Sequence, residues 1–183
     1  MARRIGYTGE PVLTPAQIAE WRRNDAVLLE AAMLADIIIP GVVAQCESRT
    51  GAAIREARYV ETWPASRRSG HALDVGQAHT VESVEVLGAD GATVAAGLGH
   101  YLQHEQRESM LHFSAGRPPG TLRITYLAGL DLDAYPAVRN WLLLNIGTVY
   151  AQRESMVIGA SVVELPSGFL DHMLAEITVP PRF

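Results

Sequence analysis

One helical segment constrains the fold more than any other feature, because it is apolar on too many sides for a single small core. Pro136 has no backbone N–H to donate and so favours a first helical turn, and the helical pattern runs from there to about Glu154. One stripe at helical spacing consists of Val138, Trp141, Leu142, Asn145 and Val149. Outside that stripe lie Leu143, Leu144, Ile146 and Tyr150. Such a helix occupies either the centre of the domain or a contact between subunits.

A second apolar segment, Ala26 to Cys46, is long enough to be compared with a membrane span. Glu30 and Asp36 argue against one, because a carboxylate near the bilayer centre costs about 2.5 to 3.5 kcal/mol. The segment is therefore predicted to be a buried helix of a soluble protein, with no membrane partner. Pro40 should kink or split it, and Gly51 should end it.

Between these helices, the pattern changes to short alternating runs separated by turn residues. The predicted strands are ARYVETW (57–63), VESVEVL (81–87), HYLQH (100–104), SMLHF (109–113) and TLRITYL (121–127). The last strand should turn Leu122, Ile124 and Tyr126 towards the core. The fold class is thus α+β, with an inserted antiparallel β subdomain. A single domain, 1–183, is predicted, with a helical core (12–51 and 134–176), a β insertion (53–130) and a C-terminal tail (177–183).

Charge and cysteine content exclude several classes of protein. The formal net charge of −5 gives the chain no overall attraction for nucleic acid phosphates. The single cysteine, Cys46, rules out an internal disulfide and a multi-cysteine zinc site, and it agrees with a reducing compartment. The chain has the length and apolar content to bury a core of its own.

Catalytic chemistry has little support. The only dense group of ligand-type residues contains His100, His104 and His112, but on a strand the first two lie about 13 Å apart, too far to share a metal. Cys46 has no histidine near it in sequence to lower its pKa. No cofactor, metal or catalytic residue is predicted, and the chain is not expected to be an enzyme. A small metal-dependent hydrolase and a nucleic-acid-binding module remain as alternatives.

Two arginine pairs and the C-terminus are candidate contacts with other proteins. The pairs are Arg22 with Arg23 and, in the exposed loop PASRRSGH (64–71), Arg67 with Arg68. The tail ITVPPRF ends in residues that are poorly suited to remain free in water, while its prolines keep it out of a central strand. It should either dock on a neighbouring protein or fold back on its own subunit. The docking residues would be Ile177, Val179, Pro180, Pro181, Arg182 and Phe183.

Four segments together resemble the head-tail connector (adaptor) family of tailed phages, in the version with a β-rich insertion. They are LTPAQIAEW with DAVLLEAAMLADIIIPGVVAQCESRTG, then TYLAGL (125–130), PAVRNWLLLNIGTVYAQRE (136–154) and ELPSGFLDHML (164–174). They run from the first helix nearly to the C-terminus. Pro40 and Gly41 depart from the pattern, because family members more usually have an unbroken alanine-rich helix there.

The resemblance implies a ring, commonly of twelve subunits, below the portal protein of the virion. Such a ring links the DNA-filled capsid to stopper or tail-completion proteins and lets DNA pass through its channel. Twelve copies at −5 each would have a formal net charge of about −60, which would let DNA slide without sequence-specific binding. The expected location is the virion neck, and the host cytoplasm during assembly. Trp141, Leu142 and Val149 should then face the subunit's own long helix. The candidates for the neighbouring subunit are Leu143, Leu144 and Tyr150, and the tail is expected to dock on the portal.

Overall fold

The computed structural model describes residues 2–24, 30–152 and 167–180. The chain divides into two compact units. The β unit comprises Met1–Glu10, Gly51–Leu130 and Ile177–Phe183, and the helical unit comprises Pro11–Thr50 and Asp131–Glu176. Helices and antiparallel sheets together make an α+β fold, as predicted from the sequence.

Two antiparallel sheets form the β unit. Its strands are β1 (Arg3–Tyr7), β2 (Ala57–Trp63), β3 (His71–Ala72), β4 (Ala78–Leu87), β5 (Thr93–Ala95), β6 (His100–His104), β7 (Ser109–Phe113) and β8 (Thr121–Ala128). One sheet has five strands in the order β1-β2-β8-β4-β5, and the other has three in the order β3-β7-β6. The five strands predicted from alternation are confirmed, three of them with the predicted ends, while β1, β3 and β5 were not predicted.

The core of the β unit lies between the inner faces of the two sheets. On β8 the side chains of Leu122, Ile124 and Tyr126 are fully buried, as alternation predicted. The rings of Tyr59 and Tyr126 stack with centroids 5.8 Å apart across β2 and β8, and the edge of Phe113 from the other sheet meets Trp63 at 6.5 Å. Aromatic contacts of this kind bind the two sheets into one apolar core.

The helical unit begins with α1 (Pro15–Arg22). A capping box starts this helix: the Thr14 hydroxyl accepts from the Gln17 backbone N–H at 3.3 Å, and the Gln17 side chain accepts from the Thr14 N–H at 2.8 Å. The helix ends where Arg23 takes a left-handed conformation, with φ of 52°.

The long helix spans Ala31–Thr50 in three parts. It consists of α2 (Ala31–Met33), a π-helical turn (Leu34–Ile38) and α3 (Ile39–Thr50). The Ile39 N–H bonds to the Leu34 carbonyl, five residues earlier. Pro40 has no N–H to donate to the Asp36 carbonyl. The π-helical turn therefore lies where an i to i−4 hydrogen bond of the α-helix is missing. The predicted irregularity is thus a π-helical turn, and the helix ends before Gly51, which has φ of +70°.

The other described helices are α4 (Pro136–Ala151) and α5 (Ser167–Leu174). Val138, Trp141, Leu142, Ile146 and Gly147 of α4 are buried. Val149 was predicted to face the subunit's own long helix, and this is wrong: its side chain is 44% exposed. It lies in the last turn of α4, beyond the packing around Ile146 and Gly147.

Candidate interaction surfaces

The side of α4 that carries the predicted subunit contacts is partly open. Leu143, Leu144 and Tyr150 are each intermediate in burial, neither enclosed nor free. Tyr150 is covered in part by Arg22 of α1, whose guanidinium carbon lies 5.2 Å from the ring centroid. Arg22 also donates to the Gly147 carbonyl at 2.8 Å, so it contributes to packing within its own subunit.

Gly147 allows the side chain of Trp21 to come close to α4. A Cβ at position 147 would lie 2.9 Å from the indole ring, a distance that real Cβ atoms do not tolerate. The tryptophan that occupies this space stays 41% exposed. This contact, together with the Arg22 hydrogen bond, fixes α1 against α4.

The long helix is buried on one side only. Its apolar stripe includes Leu34, Ile38, Val42 and Cys46, all buried. The opposite side is exposed and consists of Ala32, Ala35, Asp36, Ile37, Pro40, Gly41, Ala44, Gln45 and Ser48. Most of these residues are small, and Ile37 is 67% exposed. The sequence predicted a buried helix, so the open side, which allows close approach of a partner, is a finding of the structure.

By length and composition, the segment Ala31–Thr50 is apolar enough to cross a membrane. That is weak evidence, because core helices of other proteins meet the same criterion. Asp36 on the exposed side would place a carboxylate in the bilayer.

A buried carboxylate organises one side of the β unit. Glu61 on β2 is 1% exposed and accepts hydrogen bonds from Trp63 Nε1 at 2.6 Å, the Asp74 backbone N–H at 2.9 Å and the Tyr126 hydroxyl at 3.2 Å. Arg67 forms an ion pair with the same carboxylate and donates to Asp74 at 2.8 Å. The donors around this buried carboxylate are complementary to it, while the nearby Asp74 carboxylate is a like charge that shares Arg67 with it.

Opposing effects set the acidity of these groups. Burial raises the pKa of Glu61, although the donors from Asp74, Trp63 and Arg67 act in the opposite direction. For Asp74, burial pushes the pKa upwards, the Arg67 hydrogen bond and charge act in the opposite direction, and the pKa is lowered. Burial, followed by the Glu61 charge, raises the pKa of the Tyr126 hydroxyl.

The four predicted arginine contacts divide into two kinds. Arg22 and Arg67 are engaged inside their own units, as described above. Arg23 and Arg68 are exposed. The prediction of a partner contact therefore stays open mainly for Arg23 and Arg68.

The beginning of the C-terminal tail belongs to the β unit. Ile177 is fully buried, and Val179 lies over Gly51 and Gly76, where added Cβ atoms would come within 3.3 and 2.8 Å of its side chain. Pro180 is exposed, and Pro181, Arg182 and Phe183 lie outside the described residues. Ile177 and Val179 therefore fold back on their own subunit. Docking remains a prediction for the residues from Pro180 onwards.

The histidines considered as metal ligands lie on the three-stranded sheet. HYLQH is strand β6, as predicted, and the ring of His112 stacks on Tyr101 with centroids 5.0 Å apart. Within residues 2–24, 30–152 and 167–180, no group of three His, Cys, Asp or Glu side chains is placed to hold a metal ion. Burial raises the pKa of the Cys46 thiol to about 12, which suits a core residue.

Two edge strands that the sequence did not predict, β1 and β5, form a further exposed surface. All five residues of β1 and all three of β5 are exposed. Ile5 on β1 is 54% exposed and Val94 on β5 is 69% exposed. Large apolar side chains thus stand in solvent at both edges of the five-stranded sheet.

The chain has the fold of chains from a phage-like particle. It matches a chain in a structure described as the neck of an empty gene transfer agent particle computed with C6 symmetry, with a TM-score of 0.72, 19% identity, and coverage of 100% of this chain and 97% of that chain. A chain in the virion of a native gene transfer agent particle gives the same values. A chain in the neck of the native particle computed with C12 symmetry matches with a TM-score of 0.66 and 16% identity, and the coverage of both chains is the same.

No protein-family model and no curated protein matches the chain. At 16 to 19% identity, the likeness to these structures establishes the fold. It extends over the helical unit and the β unit alike, because the whole chain is covered.

Proposed function

We propose that this chain is the subunit of a head-tail connector (adaptor) ring, a structural protein of the virion neck without enzymatic activity. The observation that carries the proposal is the whole-chain likeness, at a TM-score of 0.72, to a chain in the neck of a gene transfer agent particle. The resemblance of four sequence segments to the adaptor family points in the same direction. We infer twelve copies, because one similar neck was computed with C12 symmetry and a ring of twelve is also compatible with the C6 symmetry used for the other.

The partners follow from this position. The ring binds the portal protein on one side and a stopper or tail-completion protein on the other, and it assembles in the host cytoplasm. DNA passes through without base-specific contacts, since a chain of net charge −5 repels phosphates on average.

Self-association is favoured by the two open helical surfaces. Leu143, Leu144 and Tyr150 stay partly accessible on α4, and the exposed side of the long helix consists mostly of small residues. A ring needs two different surfaces on each subunit, because its interfaces are head-to-tail. We propose that the neighbouring copy covers the Leu144 side of α4.

Replacing Leu144 with glutamate tests this proposal. Leu144→Glu places a charge where the neighbour would pack, so ring formation should fall at least roughly tenfold in affinity while folding is retained. Size by native mass spectrometry and by electron microscopy, with and without portal protein, measures assembly, and circular dichroism measures folding.

Val149→Glu is the matched control. It adds the same charge to the same helix at an exposed valine about 140° around from Leu144, and it should leave assembly unchanged. A folded Leu144→Glu protein that still forms rings would contradict the proposed interface. A wild-type chain that forms no ring, even with portal protein, would contradict the function itself.

A further inference from the structure

The five-stranded sheet of the β unit ends in two strands that differ in character. In the described part of the chain, β1 and β5 are its opposite edges. Edge strands present backbone N–H and C=O groups along one side, and an exposed apolar edge favours pairing with another chain. Here Ile5 and Val94 are 54% and 69% exposed, among the most exposed large apolar side chains described.

The charges at the two edges are opposite. β1 carries Arg3 and Arg4, both exposed. Strand β5 itself has no charged residue, and Glu85 on β4 lies between Ala95 and the cation Arg123. The negative charge beside β5 therefore comes from Asp90, which is exposed in the turn of the β4–β5 hairpin. The guanidinium carbon of Arg4 lies 4.3 Å from the centroid of the Tyr7 ring. We therefore assign the contact with a partner to Arg3. The positive β1 edge and the acidic turn next to β5 are complementary to each other in successive copies.

A ring requires each subunit to offer two different, mutually complementary surfaces. The two edges of one sheet meet that requirement, whereas a single edge pairing with itself would close a dimer. We propose that β1 of one copy pairs with β5 of the next copy, so that the five-stranded sheet continues across the subunit boundary. This inference rests on the proposed ring and adds a second interface to the one at Leu144.

Cross-linking in the assembled protein tests the pairing. The variant Ile5→Cys with Val94→Cys is treated with a short bis-maleimide. Within one chain the two edges are four strand spacings, about 19 Å, apart, so a shorter linker joins only different copies. The native Cys46 is buried with its pKa raised to about 12, so it contributes little background. A ladder of covalent oligomers on a denaturing gel is expected.

Three control variants show whether the ladder reports contact between β1 and β5. Each single variant should remain monomeric on the gel, and so should Ile5→Cys with Tyr101→Cys, since Tyr101 is also 54% exposed but lies on the other sheet. Assembled rings without the ladder, or an equal ladder from the Tyr101 pair or from Ile5→Cys alone, would overturn the pairing. Absence of wild-type rings would overturn the proposed function and this inference together.

A charge substitution gives an independent measurement. Val94→Arg places a cation against Arg3 of the next copy and should raise the concentration needed for assembly roughly tenfold or more. Val94→Thr keeps a β-branched residue and should change that concentration little. Equal assembly of the two variants, with β content confirmed by circular dichroism, would count against the pairing.

Discussion

The β unit and the helical unit treat their apolar surface in opposite ways. In the β unit, residues of both sheets form one buried apolar core, Ile177 at the beginning of the tail is buried as well, and Glu61 accepts hydrogen bonds from several donors. In the helical unit, the long helix buries one side and exposes the other, and α4 leaves Leu143 and Leu144 half open. The β unit therefore encloses its apolar core and exposes large apolar side chains at its sheet edges, while the helical unit leaves one side of the long helix and part of α4 uncovered.

The largest expected effect is on the closed interior of the β unit. Glu61→Gln replaces a carboxylate, which accepts several hydrogen bonds, with an amide whose NH2 group would face donors. The substitution also leaves Asp74 as the only anion that contacts Arg67. Breaking a buried ion pair costs about 3 to 5 kcal/mol, and the remaining Asp74 contact suggests the lower end. Denaturant unfolding measures the loss in the free energy of unfolding.

Glu82→Gln is the matched comparison. Glu82 accepts two hydrogen bonds from Arg58 at 2.6 and 2.7 Å, but on the exposed surface of the sheet. Exposed pairs contribute little because water screens them, so this variant should unfold like the wild type. Equal losses for Glu61→Gln and Glu82→Gln would show that the buried network does not hold the β unit together.

A smaller loss in the free energy of unfolding is expected from truncating the C-terminus, and it should depend on whether Ile177 and Val179 are removed. Deleting 177–183 removes the fully buried Ile177, and losing such a side chain costs about 1.5 to 3 kcal/mol. Deleting only 181–183 keeps Ile177 and Val179 and should leave the free energy of unfolding unchanged.

The same pair of truncations tests portal docking. If Pro181, Arg182 and Phe183 dock on the portal, the shorter deletion should reduce joining to DNA-filled heads although the subunit remains as stable as the wild type. Joining assays with purified heads measure this. Undiminished joining would remove the tail from the docking surface.

Sequence alternation predicted the strands that have one buried face. β2 and β7 match the predicted ranges, because their side chains alternate between core and exterior. β6 also matches its predicted range, although its residues are half-buried or exposed. β1 and β5 were missed since neither face of an exposed edge strand is buried, so RRIGY and TVA carry no alternation to recognise. The exposure that makes these edges available for the proposed pairing is thus also the reason why no sequence pattern marks them.

The buried network had a signal in the sequence that was not used. Glu61 lies between Tyr59 and Trp63 at the inward positions of β2, so parity alone places a carboxylate in the core. The open side of the long helix had no such signal. The hydropathy of an alanine, isoleucine or proline is the same whether its own subunit or a neighbouring subunit covers it. Only the fold shows which residues the subunit itself leaves exposed.

The smallest expected effect concerns that open side. A Cβ at Gly41 would meet nothing within 4 Å, and alanine is favoured over glycine inside a helix by about 0.8 to 1 kcal/mol. Gly41→Ala should therefore raise the free energy of unfolding of the subunit by roughly that amount. If a neighbouring copy packs closely on the long helix, the added methyl group should at the same time make the ring dissociate more readily on dilution.

Ser48→Ala separates these two effects. Ser48 is exposed on the same side of the long helix, seven residues from Gly41, and its replacement favours the helix while removing an atom instead of adding one. The melting temperature of the subunit should rise slightly for both variants. Ring dissociation, followed by native mass spectrometry at decreasing protein concentration, should increase only for Gly41→Ala. Rings of Gly41→Ala that are as stable as wild-type rings would mean that this side of the helix faces solvent or the channel, and the contrast between a closed β unit and an open helical unit would then rest on α4 alone.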